Sequence, residues 1–254
     1  MRALGLSLAG AVILAMLSGP GGVVVGQDTA DEPTDPDSFL FVGNSLSAQY
    51  DGVYGEFERL IESEDLPRDP WVFRVIKGGT ILGSNYDMSK YRLDQQDYDV
   101  VVLQDDIPEY QDQDLERFMR TAREFDEMIP DAGAQTVFYM TWPTRGNAWV
   151  GLDEIVALHR QAEEELGAKI APVGLAFPAA EAALPGFQAL QTDGDHPSVL
   201  GTYLAAAVIY ATIFDRSPEG LYYPEGYLSE DWATTLQSIA GETVQEWRAG
   251  PPTK

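Results

Sequence analysis

The chain has 254 residues, 41 of them acidic and 16 Lys or Arg, and carries a formal net charge of -25. A surface of that sign repels nucleic-acid phosphates and anionic membranes, so no nucleic-acid partner is expected. There is no cysteine, which excludes disulfides, thiolate metal sites and a lipid-bearing cysteine. The length and the 44% hydrophobic content suit one large domain with a substantial core.

Met1-Arg2 followed by the apolar, small-residue run Ala3 to Gly19 has the pattern of a secretory signal peptide over residues 1–26, with cleavage near Gly26. On that reading the mature protein is secreted or periplasmic and has no stable membrane association. The alternative is a retained anchor, because the apolar run approaches spanning length. Gln27 to Asp37 (QDTADEPTDPD) is acidic and proline-bearing, the composition of a disordered linker. The domain is expected over residues 38–250.

Phe39-Leu40-Phe41-Val42 is a short apolar run that ends at Gly43-Asn44 and presents Ser45. That is the pattern of a buried strand whose carboxyl end holds a hydroxyl, at the edge where open α/β sheets bind ligands. Tyr54 to Glu64 has helical spacing, and Trp71 to Ile76 is a second strand ending at Lys77-Gly78-Gly79-Thr80. Paired glycines there let backbone amides approach a ligand, although an ordinary turn has the same composition. Asp99 to Leu103 is a continuous apolar run, as expected of a parallel strand buried on both faces, and it delivers Gln104 to the edge that bears Ser45.

A helix follows over Asp114 to Met128, then a strand over Gln135 to Thr141 and the polar loop Trp142-Pro143-Thr144-Arg145-Gly146-Asn147. Leu152 to Leu166 is helical and Lys169 to Val173 a fifth strand. Residues 174 to 192 read as loop and short helix. Asp193-Gly194-Asp195-His196-Pro197-Ser198 leads into the apolar helix Val199 to Phe214, with Pro197 at a first-turn position, and Leu228 to Trp247 is a surface helix. Strands alternating with helices specify an α/β fold: a three-layer α/β/α sandwich around a mostly five-stranded parallel sheet.

A serine nucleophile needs a base, an orienting acid and oxyanion donors. Only two histidines exist. His159 shares a helix face with Leu152 and Ile155, the placement of a packed residue. His196 lies in a loop three residues after Asp193, a spacing that lets a carboxylate reach its ring; the alternative is that Asp193 caps the next helix and leaves His196 solvated. Asp105, Asp106 and Asp195 are read as surface carboxylates rather than metal ligands, and no metal or cofactor is expected. Trp142, Trp149 and Tyr110 either form an aromatic rim or pack ordinarily.

The ordered set of a GNSLS turn, a glycine pair after strand two, Gln104 after strand three and D-G-D-H-P-S near the end resembles the SGNH (GDSL-like) hydrolases over nearly the whole mature chain. The resemblance extends to a branch of secreted bacterial proteins with Gly-Asn-Ser and Leu-Gln together. It implies a flavodoxin-like sheet, Ser45 as nucleophile, His196 as base and Asp193 as its orienting acid. It also implies an oxyanion hole from the backbone N–H of Ser45, that of Gly79 (with Gly78 as the alternative) and the side-chain amide of Gln104. Asn44, Gly78 and Trp142 are the expected substrate-binding positions. The implied activity is a secreted serine esterase acting on O-acetyl or other short acyl groups of carbohydrates or small molecules. The alternatives are a lipase or thioesterase on longer chains, and a non-catalytic glycan-binding relative.

Overall fold

The protein is described by a computed structural model over residues 35–64, 69–105, 114–147 and 149–250. The expected signal peptide, linker residues 27–34, Asp106 and Tyr110 lie outside those residues. The last three linker residues, in contrast to the disordered reading, are tied to the domain. Asp35 pairs with Arg216 at 2.9 Å, the Asp37 N–H donates to Asp99 Oδ2 at 2.9 Å, and the Asp37 carbonyl accepts from the Trp71 N–H at 2.9 Å.

Five strands build the sheet: β1 Ser38–Gly43, β2 Trp71–Ile76, β3 Val100–Leu103, β4 Gln135–Tyr139 and β5 Lys169–Ala171. They pair in the order β2-β1-β3-β4-β5, and every pairing is parallel. The connections from β1 and from β3 therefore leave towards opposite edges, and the crevice at the carboxyl ends of β1 and β3 is where such sheets bind ligands.

The apolar strand runs divide with period two between two cores. Phe39 and Phe41 of β1 face one layer, formed with α1 Val53–Glu62, α5 Val173–Ala183, α6 Val199–Phe214 and most of α7 Glu230–Ala249. Leu40 and Val42 face the other, formed with α2 Tyr86–Gln95, α3 Glu116–Met128 and α4 Leu152–Leu166. The three-layer α/β/α sandwich is the fold expected from the element pattern. Every residue of α6 from Gly201 to Phe214 is buried, as suits a helix apolar all round. Among the described residues no helix is both long and apolar enough to cross a membrane.

Three elements differ from expectation. α2 was not anticipated, because it buries only Ser89 and Leu93 and so carries almost no apolar stripe. α5 is a full helix despite Pro178 in its interior. The helix after the D-G-D-H loop begins at Val199 with Ser198 as its cap, Oγ accepting from the Gly201 N–H at 3.0 Å. Pro197 thus stands outside that helix, and Asp193 does not cap it.

Candidate active site

β1 ends at Gly43, and Ser45–Ser47 forms a single 3₁₀ turn. Asn44 makes that turn. Its Oδ1 accepts from the Leu46 N–H at 2.9 Å, and its Nδ2 donates to the Thr80 carbonyl at 2.9 Å. Both ends of the amide are occupied and the residue is 3% exposed. Asn44 therefore positions Ser45 and does not face a substrate, a correction to the sequence reading.

The second loop is braced as heavily. The Gln191 N–H donates to the His196 carbonyl at 2.8 Å, and Leu190 and Pro197 form an antiparallel bridge, so residues 190–197 close on themselves. Gly194 takes a left-handed φ of 77° at the tip, where a side chain would strike Arg145. Arg145 in turn donates from Nη1 to the Thr192 carbonyl at 3.0 Å. Asp193 Oδ1 accepts from the backbone N–H groups of Asp195 (2.9 Å) and His196 (3.1 Å), while Oδ2 lies 2.9 Å from His196 Nδ1.

Those hydrogen bonds, first from the Asp195 N–H and then from the His196 ring, hold the Asp193 carboxyl down to about 2. An ionised carboxylate only accepts, so Nδ1 of His196 carries the proton and Nε2 is left as an acceptor. Nε2 is 3.0 Å from Ser45 Oγ. Two loops 151 positions apart thus meet in an unbroken Asp193–His196–Ser45 chain of hydrogen bonds.

β3 delivers Gln104 beside this turn. The Gln104 N–H donates to the Val42 carbonyl at 2.8 Å. The side-chain Oε1 accepts from the Asn44 N–H and from Ser47 Oγ, each at 2.9 Å. Because a backbone N–H can only donate, the amide cannot be flipped, and Nε2 is the end of the amide that the turn does not engage. That Nε2 is buried without a partner, a state that costs about 1–3 kcal/mol for a neutral group. Across the turn, a Cβ built on Gly78 would stand 3.9 Å from Ser45 Cβ, whereas one on Gly79 (φ 68°) would meet nothing within 4 Å. Gly78 is thus the glycine that borders Ser45 most closely.

Trp142 departs from its expected role. It is 3% exposed, its ring packs 4.4 Å from Phe177 (centroid to centroid), and its indole N–H donates to the Asp195 carbonyl at 3.0 Å. It holds the His196 loop from behind and offers no face to a ligand. Trp142→Phe keeps the ring and deletes this one donor. Its expected outcome is a kcat lowered roughly three- to tenfold, the equivalent of about one hydrogen bond, with KM little changed, as measured by steady-state kinetics on a short-chain ester. Trp149, by contrast, is exposed.

Asp105 also differs from the surface reading. It is buried, with Oδ1 accepting from the Leu82 N–H at 2.9 Å and Oδ2 3.7 Å from Arg117 Nη2. Asp195 accepts from the Gly146 N–H at 3.3 Å. Several bracing residues were not anticipated. Gln49 Nε2 donates to the Ser45 carbonyl at 3.1 Å, and its Oε1 accepts from Gln191 Nε2 at 3.1 Å, linking the two loops directly. Asn85 Nδ2 donates to the Gly43 carbonyl at 3.0 Å. Tyr50, exposed beside Gln49, has a φ of 57°, the left-handed conformation rare for a residue other than glycine. Lone amides and a tyrosine outside a motif carry no local pattern that singles them out.

His159 is packed, as its helix face implied. It lies 4.9 Å from the Phe118 ring, and its Nδ1–H donates to the Ile155 carbonyl at 2.8 Å. Burial pushes its pKa down to about 4. The unfolded chain therefore binds this proton from near pH 6.5 downward while the folded chain does not. Its contribution is complete above pH 6.5 and is lost as pH falls towards 4, on the order of 3 kcal/mol in all. Urea unfolding between pH 7 and 4 is expected to show this loss, and His159→Leu to flatten it.

No protein-family model matches the chain, and no curated protein does. Solved structures do. A protein from Slackia heliotrinireducens described as a putative SGNH hydrolase is 26% identical, covers 68% of this chain and 97% of its own, and superposes with a TM-score of 0.58. The chain shares the fold of the SGNH (GDSL-like) hydrolases, the superfamily its motifs resemble. A DUF4886 family protein from Bacteroides uniformis shares the fold at 17% identity, over 82% of this chain and 94% of its own, with a TM-score of 0.59. An acetylxylan esterase from Geobacillus stearothermophilus shares it at 15% identity, over 70% and 94%, with a TM-score of 0.53.

The Asn44 amide donates to the Thr80 carbonyl, a bond an ionised aspartate at that position could not make.

Proposed function

We propose that this protein is a secreted serine esterase that removes O-acetyl or other short acyl groups from carbohydrate or small-molecule esters, with Ser45 as nucleophile, His196 as general base and acid, and Asp193 as the group that orients it. The observation that carries the reading is the continuous contact from Asp193 Oδ2 through His196 to Ser45 Oγ, at 2.9 and 3.0 Å, at the crevice between β1 and β3.

Ser45 Oγ attacks the acyl carbon and gives its proton to His196 Nε2. The carbonyl oxygen becomes an oxyanion, met by the backbone N–H of Ser45, a backbone N–H of the Gly78-Gly79 pair and Nε2 of Gln104. The C–O bond breaks as His196 protonates the leaving alcohol. Water then gives a proton to His196, attacks the acyl-enzyme and releases the acid, and the proton returns to Ser45. The superfamily fold is shared with an acetylxylan esterase, of which a structure was determined as a serine-to-alanine catalytic mutant; this supports both the serine and the short acyl group. An apolar cavity of about 580 Å³ lies between α4, α5 and α7 and includes none of the triad residues, so it offers no acyl channel to Ser45. Secretion is inferred from the leader-like residues 1–26.

Fluorophosphonate labelling of the full chain, read by intact mass and peptide mapping, tests the nucleophile. One adduct on Ser45, lost in Ser45→Ala and in His196→Ala, is expected; folded protein that takes no label is instead the glycan-binding relative. A p-nitrophenyl ester series then separates acyl lengths. Highest kcat/KM on acetate or butyrate fits the proposal, and a maximum at eight carbons or more makes the enzyme a lipase or thioesterase.

A further inference from the structure

β2 is an edge strand, paired only with β1. Between its outer side and α2 lies a cleft of about 430 Å³, whose lining includes Phe73, Arg74, Lys77, Asn85, Met88 and Arg92. Among the described residues no carboxylate lines it. In a chain with 41 acidic and 16 basic side chains, a cleft whose described lining holds three basic residues and no acid runs against the general field of the molecule.

None of the three cations is in a salt bridge among the described residues. Arg74 lies over the Tyr54 ring at 4.8 Å and shares its field with Glu58 of α1. Lys77 and Arg92 are left as the unopposed charges. The Arg92 guanidinium lies 4.2 Å from the centroid of the Phe73 ring, and its Nε is buried without a hydrogen-bond partner. Stacking on an aromatic face fixes the plane of a guanidinium and leaves its edge free, the arrangement that receives a two-oxygen anion.

The cleft also touches the Ser45 site through the chain. Lys77 runs directly into Gly78, which borders Ser45, and Asn85 reaches from the cleft to the Gly43 carbonyl at 3.0 Å. We propose that this cleft is a subsite for an anionic group (a carboxylate, sulfate or phosphate) on the molecule whose ester is cleaved at Ser45. The link to cleavage rests on the esterase reading; the binding of the anion does not.

Titration calorimetry on full-chain Ser45→Ala with four probes tests it: oligogalacturonate for carboxylate, dextran sulfate for sulfate, glucose 6-phosphate for phosphate, and neutral xylohexaose. At least one anionic probe is expected to bind, to weaken as salt rises, and to lose roughly tenfold or more in affinity in Lys77→Glu and in Arg92→Gln, about one charge-assisted contact. Xylohexaose binding is expected to be the same with and without these changes. Because Lys77 is an exposed side chain, its variant keeps the test valid if Arg92→Gln fails to fold. Anionic probes that bind no better than xylohexaose, or equally well in Lys77→Glu, overturn the subsite. Fluorophosphonate labelling of Ser45 in the single variant Lys77→Glu reports the esterase reading separately, since the serine remains in that protein.

Discussion

His196→Ala is expected to lower kcat/KM on a short-chain ester by roughly 10⁴- to 10⁶-fold, the scale of losing a base that acts as a unit with its serine. The ring spans Asp193 Oδ2 and Ser45 Oγ, and among the described residues the only other histidine is sealed against Phe118, so nothing replaces it. Asp193→Asn tests the same relay without emptying the loop. An asparagine Oδ1 still accepts from the Asp195 and His196 N–H groups, but its amide nitrogen meets Nδ1 as a donor and forces the proton to Nε2. A loss of about 10⁴-fold in kcat with an intact fold is expected, from the wrong tautomer alone. Since the Asp193 carboxyl is held down to about 2, it stays ionised throughout the working range. A variant at either position that keeps activity within tenfold of the parent would remove the triad.

Gln104→Ala is expected to cost roughly 100- to 1,000-fold in kcat, the usual price of one oxyanion donor, with KM changed far less. The side chain has two functions that a single alanine cannot separate, because Oε1 also accepts from the Asn44 N–H and Ser47 Oγ. Gln104→Glu separates them. An ionised glutamate accepts the same two hydrogen bonds and so preserves the turn, while the donor at Nε2 becomes an acceptor that opposes an oxyanion. If Nε2 stabilises the oxyanion, Gln104→Glu loses at least as much kcat as the alanine while remaining folded, its Tm lowered by the buried carboxylate. If activity survives in Gln104→Glu, Gln104 only holds the turn.

The strand and helix order was legible because parallel strands buried on both faces are continuous apolar runs and most crossover helices carry a stripe. β2 was expected at Trp71 to Ile76 and α4 at Leu152 to Leu166, where the structure has them. α2 was invisible for the converse reason, since a helix that buries one leucine and one serine has no period to detect. The candidate site was legible in part. The three-residue spacing of Asp193 and His196 is a local fact, and the local contact exists. Trp142 misled because an aromatic in a polar loop looks exposed, and nothing in the sequence shows that Phe177 of α5 covers it.

The sequence by itself determined the α/β class, the strand that carries Ser45, the Asp193–His196 pair and the charge of the molecule, because each depends on near neighbours or on composition. Only the tertiary structure decided the contact between His196 and Ser45, the orientation of the Gln104 amide, the link from Gln49 to Gln191 and the cationic cleft beside β2. Each of these joins residues from separate elements, and sheet order, which no single segment encodes, brings those elements together. The Gln104 amide shows the difference. Its type is written in the chain, but the direction of its donor follows from a backbone N–H 60 positions away.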